Sequence, residues 1–482
     1  MSRPVLGGAA AGAVSARLDR LPRTPLLWRW VVAISLGGFF EVYDLAFTAL
    51  MSPLLVRDGV FRGGSGGFFG LPDQATFAFV TMLGLYVGSL AFSAIGDRVS
   101  RKLAFTGSMG AYALATVVMG LQDSSAGINL WRGLASVALG VELVVVDCFL
   151  AEVTPKAGRG RVFALSKSLQ MLAIPIGGAL ATFVGPHVWL GFAGWRWLAM
   201  TPGVGALLVM ALRRGLPESP RWLAAHGRVD EANRVVELLE QEARHRGHVL
   251  AQPSEAAGLG AAAAPVQRGY GELLRRPHRA RFFYLVIAAP ASSIAFYGFA
   301  HWAPTLLEQE GAALTKSLLY AAAISLAYPL GPLLASCFAD RIERKWQIAI
   351  TGPLVAVLAL IFSSQREPAA WIVLGFLLTL FSEINSTATH TYRSELFPTE
   401  IRARAVAFVY SFDRLATALS SYLIAAVLVH EGSPGVFAVL AASMALCTAV
   451  TLLFGPKTLG RAYEEIEDAA LVRSWGSTPA RS

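Results

Sequence analysis

Ionisable side chains stand inside long apolar runs of this chain, among them Asp44, Arg132, Glu142, Lys167, Glu383 and Arg414. A charge is expensive in hydrocarbon, so each must pair, line a watery cavity or take part in chemistry. Asp44 lies about 16 residues, roughly 24 Å of helix, from the start of its run. Arg132 lies about 20 residues, roughly 30 Å, from Glu152 at the end of its own run. If both runs cross a membrane, the carboxylate and the guanidinium can meet at similar depth. A guanidinium close by favours an ionised carboxylate, and burial favours the protonated acid. Withdrawing Arg132 would then let Asp44 take a proton; otherwise the two form a purely structural ion pair. Arg414 suggests different chemistry. A guanidinium can hold a carboxylate through two parallel hydrogen bonds, and a low dielectric strengthens the grip. It therefore points to a carboxylate-bearing ligand, unless Asp413 or Glu383 neutralises it. Lys167, His301 and His390 share the candidate cavity with the aromatic Tyr43, Phe296 and Tyr297. Glu142, Asp147, Glu383 and Asn385 are further buried polar candidates. Glu142 would ligate substrate, relay protons or pair with Lys167. The two histidines either titrate near neutral pH or simply pack.

These residues need long helices to place them. The chain has 482 residues, 55% hydrophobic and only 15% charged, with mean hydropathy +0.52. That apolar excess cannot be buried in one soluble core and calls for a bilayer. Twelve runs are long enough to span one. They are 28–51, 75–95, 103–121, 128–151, 162–185 and 195–212, then 281–303, 316–338, 347–364, 368–391, 405–429 and 434–455. Five segments follow: a tail 1–27, a bundle 28–212, a central loop 213–280, a bundle 281–455 and a tail 456–482. Within the loop, Val229 to Arg246 has helical spacing and dense charge, so it reads as a surface helix. An Ala/Gly-rich linker follows it.

The net charge of +9 does not indicate nucleic acid, because the basic residues sit in short loops between apolar runs. Arg98, Arg101, Lys102, Lys156, Arg159 and Arg161 fall in even-numbered loops, as do Arg341, Arg344, Lys345, Arg402 and Arg404. This asymmetry puts both termini and the central loop in the cytoplasm. Loop 57–74 then faces out as a Gly-rich connection. The first 27 residues hold arginines but no short apolar core with a cleavage site, so no cleaved signal peptide is expected. Cys148, Cys337 and Cys447 read as small buried hydrophobes. No metal cluster, cofactor motif or nucleophile–base set is expected, and hence no enzyme. The Gly-rich stretch 63–70 lacks the Lys-Ser/Thr that phosphate binding needs.

Two polar stretches recur at one offset. Ala151 opens AEVTPKAGRGR and Ser394 opens SELFPTEIRAR; Glu152 and Glu395, Pro155 and Pro398, Arg159 and Arg402 are each 243 residues apart. Gly96-Asp97-Arg98 with Arg101-Lys102 is echoed by Ala339-Asp340-Arg341 with Arg344-Lys345 at the same spacing. A polar pattern repeated once in an apolar chain indicates two similar membrane halves.

On these residues the chain resembles the major facilitator superfamily over about residues 28–468. Its loop signature appears as Gly96-Asp97-Arg98-x-x-Arg101-Lys102. Pro217-Glu218-Ser219-Pro220-Arg221, Glu395-Leu396-Phe397-Pro398 and Pro456-Lys457-Thr458-Leu459-Gly460-Arg461 are similar to motifs of the sugar-porter, aromatic-acid:proton symporter and organic-ion branch. The resemblance implies an all-α membrane fold of twelve transmembrane helices in two pseudo-symmetric six-helix bundles. It also implies that Asp97, Arg98, Arg101, Glu152, Arg159, Asp340, Arg341, Glu395 and Arg402 form cytoplasmic latches that hold an outward-open state. Phe39-Phe40-Glu41-Val42-Tyr43-Asp44 and Trp131-Arg132-Gly133 resemble segments of proton-coupled sugar porters, where the matching positions form an Asp–Arg coupling pair. The sugar-binding amides of those porters are missing: their helix 5 glutamines become Lys167 and Ile174, and helix 7 carries Ala291, Ser292 and Ala295-Phe296-Tyr297. Arg414 resembles an arginine of aromatic-acid symporters and organic-anion transporters.

The reading is a monomeric, inner-membrane importer of a small organic acid, an aromatic carboxylate among the candidates, together with a proton. Tyr43, Glu142, Lys167, Tyr297, His301, Glu383, Asn385 and Arg414 are the candidate substrate contacts. Its rivals are a symporter of sugar or another neutral metabolite, a proton-driven exporter, and a transporter-like nutrient sensor.

Overall fold

Inside hydrocarbon the backbone must bond to itself, which favours helices, and the described residues are helical almost throughout. The computed structural model describes residues 4–22, 24–63, 68–95, 99–155, 159–252, 273, 275, 278–338, 341–397 and 399–458. The first half holds α1 (Pro4–Asp19), α2 (Pro25–Arg57), α3 (Asp73–Ile95), α4 (Arg101–Gly120), α5 (Ser125–Val153), α6 (Arg159–Met171), α7 (Ala173–Val184) and α8 (Gly194–Leu212). Two short helices follow, α9 (Pro220–Ala225) and α10 (Val229–His245). The second half holds α11 (His278–Gln309), α12 (Leu314–Ser325), α13 (Ala327–Phe338), α14 (Arg344–Ser363), α15 (Pro368–Glu395) and α16 (Thr399–Phe454). A two-residue hairpin, β1 (Val188–Trp189) with β2 (Phe192–Ala193), pairs Val188 with Ala193.

Among the described residues, eleven helical stretches are long and apolar enough to cross a membrane. The last, within α16, bends at Gly432, whose φ of 70° suits glycine. It therefore carries two crossings, at the break expected between residues 429 and 434. Sequence chemistry sets the starts. Thr24, Ser100 and Ser124 accept from the backbone N–H of Leu27, Leu103 and Gly127 at 3.3, 3.1 and 3.1 Å, capping α2, α4 and α5. Helix sides show a lipid-facing belt: Leu103, Phe183, Ile350 and Leu453 are all exposed. Small residues allow close packing. A Cβ on Gly140 of α5 would overlap the Leu85 carbonyl oxygen of α3, the close approach typical of membrane bundles.

Two expected single helices are each broken. Residues 159–184 divide at Leu172 and residues 314–338 at Leu326. Pro175 and Pro329 stand three residues beyond these points; each lacks the N–H that would bond back across the break. The expected N-terminal tail contains a helix. α1 lies against α9 and α10, where Arg17 and Arg20 reach Glu240 at 2.9 and 2.6 Å and Arg221 reaches Asp19 at 2.7 Å. α10 itself follows the expected amphipathic pattern, burying Ala232, Val235, Val236, Leu239 and Ala243. Of the cysteines, Cys447 is buried, whereas Cys148 is only half-buried and Cys337 is exposed on the outside of its helix.

Candidate functional site

Asp44 of α2 and Arg132 of α5 meet within the first six membrane helices, both fully buried. Arg132 Nη1 lies 2.7 Å from each carboxylate oxygen. Its Nη2 donates to Thr48 Oγ1 at 2.7 Å and to the Asp44 carbonyl at 3.0 Å. Nε donates to Thr81 Oγ1 at 2.8 Å, and the guanidinium sits 5.3 Å from the Phe77 ring centre. Tyr112 of α4 donates to Asp44 Oδ1 at 2.8 Å. The carboxylate therefore has two donors from different helices, and the guanidinium is held by α2 and α3. No sequence pattern marked Tyr112, Thr48 or Thr81 beforehand; only contact reveals them.

A cavity of about 1330 Å³ lies between the halves. Both broken helices line it, through Lys167, Gln170 and Ile174 on one side and Ser325, Tyr328 and Pro332 on the other. Its lining continues past Cys148, Phe163, Ser336, Arg344 and Thr391, towards the end that carries the basic loops. At the opposite end the halves touch. Tyr422 of α16 packs on Phe69 and Phe79 at 5.7 and 5.0 Å between ring centres. A Cβ on Gly178 of α7 would meet Ala322 of α12 at 2.9 Å.

Arg414 borders this cavity and is 7% exposed. It donates to the hydroxyls of Tyr297 and Tyr410 at 2.7 and 2.6 Å, with its guanidinium carbon 5.0 and 4.8 Å from the two ring centres. Its Nε has no partner among the described residues. Asp413, the neighbour that could have neutralised it, pairs instead with Arg393 at 3.3 Å. Among the described residues no carboxylate pairs with Arg414. Lys167, His301, Glu383 and His390 line the same cavity, and His301 packs beside Tyr297 with ring centres 5.3 Å apart.

Three candidate substrate contacts lie off the cavity wall. Tyr43 stacks near Phe47 at 6.4 Å and packs against Gly177. Glu142 is buried inside the first half, where Ser108 donates to it at 3.1 Å. Arg213 lies near it and stacks over Phe105 at 3.4 Å. So Glu142 does not reach Lys167 across the cavity. Asn385 is fully buried, accepting from Ser292 at 3.2 Å and donating to Thr351 at 2.8 Å. Glu142 and Asn385 are themselves 243 residues apart, as are Ser108 and Thr351. The duplication seen in the loops thus extends into the membrane, and the same offset could have exposed it.

The loop charges form matching pairs. Arg101 reaches Glu152 at 3.1 Å, and Arg344 reaches Glu395 at 3.3 Å, again one pair per half. Each ties neighbouring helices of the same half. Arg341 is exposed. Asp97, Arg98 and Asp340, and the side chains of Asp147, Arg159 and Arg402, lie outside the described residues.

Comparison with known proteins adds to this geometry. A family model described as "Sugar (and other) transporter" matches residues 30–470. Over 448 residues the chain is 27% identical to the putative metabolite transport protein YyaJ of Bacillus subtilis (strain 168), covering 92% of this chain and 95% of that one. It is 24% identical over 457 residues to the niacin transporter NiaP of Acinetobacter baylyi (strain ATCC 33305 / BD413 / ADP1), covering 94% and 99%. The xylose transporter XylE from E. coli, in a partially occluded inward open conformation, matches with a TM-score of 0.71 at 17% identity, over 91% of this chain and all of that one. That likeness shows the fold.

Proposed function

The chain belongs to the sugar (and other) transporter family, and from that premise we propose that it imports a small organic acid together with a proton. As a member of that family it is a multi-pass membrane transporter of the major facilitator fold, not an enzyme. The substrate reading rests on one observation: Arg414 is a buried guanidinium facing a large cavity, and among the described residues no carboxylate is paired to it. A substrate carboxylate supplies the missing partner in a low dielectric, where charge-assisted bonds count most. The similarity to a niacin transporter agrees with an acid that carries a ring, and Phe296, Tyr297 and Tyr410 offer it aromatic walls.

A sugar is the second reading, favoured by the family description. It needs many amide and hydroxyl partners. The amide on the described wall, Gln170, donates to Ser166 at 3.1 Å, which leaves a sugar poorly served.

Proton coupling belongs to Asp44 and Arg132. In this reading substrate and proton load from outside, and residues 28–212 rock against 281–455 about the central cavity. The cavity's reach towards the basic-loop end corresponds to an inward-facing state in a cytoplasmic membrane, with both termini and loop 213–280 in the cytoplasm. The Arg101–Glu152 and Arg344–Glu395 pairs, each within its own half, brace the helix ends at the cytoplasmic mouth. A monomer suffices, because the cavity lies within one chain.

The test is uptake of a labelled aromatic acid into proteoliposomes with and without an inward proton gradient. Accumulation that follows the gradient supports import. Efflux against it in everted vesicles indicates an exporter, and binding without any flux indicates a sensor.

A further inference from the structure

We propose that the cavity recognises a dipolar ligand, holding a carboxylate at Arg414 and an ammonium or N–H group at Glu383. This rests on the acid reading above and adds the second pole. Glu383 stands on α15, 3% exposed, and borders the cavity. Its Oε1 has no hydrogen-bond donor among the described residues. Buried carboxylate oxygens ordinarily find a donor, so this one is poised for a group that the described residues do not provide. The neighbouring helix makes room for it. A Cβ on Gly331 of α13 would overlap the Glu383 Cβ and stand 3.2 Å from its Cγ. Three residues before Gly331, on the same face of α13, Tyr328 borders the cavity and packs on Phe296 with ring centres 6.0 Å apart. An acid beside aromatic rings is a surrounding that suits an ammonium.

The chemistry narrows the ligand further. A charged Glu383 carboxylate only accepts hydrogen bonds, so a ligand ammonium or N–H is what holds it charged against the burial that favours the neutral acid. Arg344 is already paired with Glu395. The remaining charges on the described wall are Arg414 and Lys167 against Glu41 and Glu383, a balance that suits a ligand of no net charge. Lys167 is the internal rival for Glu383. It stands on α6, exposed, and its ammonium acts on the Glu383 carboxyl through space, but no direct ion pair joins the two among the described residues.

The test is equilibrium binding to the purified full chain with four probes: 3-(aminomethyl)benzoate, 3-ethylbenzoate, pyridine-3-carboxylate and benzylamine. The expected result is that 3-(aminomethyl)benzoate binds at least tenfold tighter than either acid lacking the amine. Glu383→Gln should abolish that preference, Glu383→Asp should keep part of it, and Lys167→Gln should leave it intact. Equal binding of the three acids overturns the proposal, as does a preference that survives Glu383→Gln. Loss of the preference in Lys167→Gln also overturns it, because Glu383 would then serve the lysine. If acids bind and Arg414→Ala abolishes binding, but the amine adds nothing, the dipolar inference fails and the acid reading stands. If benzylamine binds and no acid does, the acid reading fails. If none of the four binds, both fail.

Discussion

Tyr112 reaches from α4 to place its hydroxyl 2.8 Å from Asp44 Oδ1, in a site where Asp44 has no exposure and Tyr112 2%. Arg132 is the other donor to that carboxylate, and it arrives from α5. The proposed proton site is thus a three-helix junction rather than an isolated ion pair. A hydrogen bond to a charged group contributes about 1.5–3 kcal/mol, and about 1.4 kcal/mol is a factor of ten. Tyr112→Phe is therefore expected to cut gradient-driven accumulation about tenfold while leaving counterflow exchange within about twofold. Unchanged accumulation in proteoliposomes would exclude Tyr112 from the coupling site.

Arg414 is held by two tyrosine hydroxyls and stacked between their rings. Truncating one partner of a buried charge pair typically costs about 2–5 kcal/mol. Arg414→Ala should weaken binding of an acid substrate by about 100-fold or more. Arg414→Lys should restore little, because an ammonium cannot reproduce the planar fork. Direct binding measurements check both; a lysine variant with native affinity would contradict a two-pronged grip.

The α1–α10 clamp gives a pH dependence outside the membrane. Burial pushes the Glu240 carboxyl upward, but hydrogen bonds from Arg17 and Arg20 outweigh it and leave Glu240 below its ordinary value. A depressed carboxyl contributes its stabilisation above the unfolded value near 4.5, and that contribution is lost as pH falls through the lower folded value. The protection factor of the α1 amides, which removes the intrinsic pH dependence of exchange, should therefore stay high at neutral pH and fall as the medium is acidified below about 4.5. Glu240→Gln should show the lower protection already at pH 7. Equal protection in the variant would show that apolar packing alone holds α1.

Helix packing predicts a contrast between two glycines. A Cβ at Gly140 meets the Leu85 backbone, whereas one at Gly107 meets nothing within 4 Å. Gly140→Ala should destabilise the detergent-solubilised protein by about 1–3 kcal/mol. Gly107→Ala should be neutral, or stabilise by up to about 1 kcal/mol, through helix propensity. Thermal melting of the two variants separates them.

Much of this was legible in the amino-acid sequence because hydrocarbon imposes simple rules. Long apolar runs with basic loops mark the crossings, and an intramembrane charge needs a partner; the resemblance to proton-coupled sugar porters singled out Asp44 and Arg132, and their depths agreed. The 243-residue offset anticipated the twin pairs Arg101–Glu152 and Arg344–Glu395. Other features depend on which way a helix faces. Tyr43 precedes Asp44 by one residue, so its ring turns towards Gly177 and away from the cavity. Glu142 and Lys167 both lie in apolar runs, yet one points into its own half and the other into the cavity. The breaks at Leu172 and Leu326 were signalled by Pro175 and Pro329, a signal that hydropathy alone does not register. α1 buries Val14, Ala16 and Leu18, but its charge partner Glu240 lies some 220 residues away, beyond the reach of any local pattern.

Coupling is tested most directly by substrate accumulation in proteoliposomes under an imposed inward proton gradient, comparing the wild-type chain with Asp44→Asn. The expected result is that the variant accumulates nothing above equilibrium yet still exchanges labelled for unlabelled substrate. Accumulation by Asp44→Asn equal to wild type would contradict the account, since the proton would then be carried elsewhere.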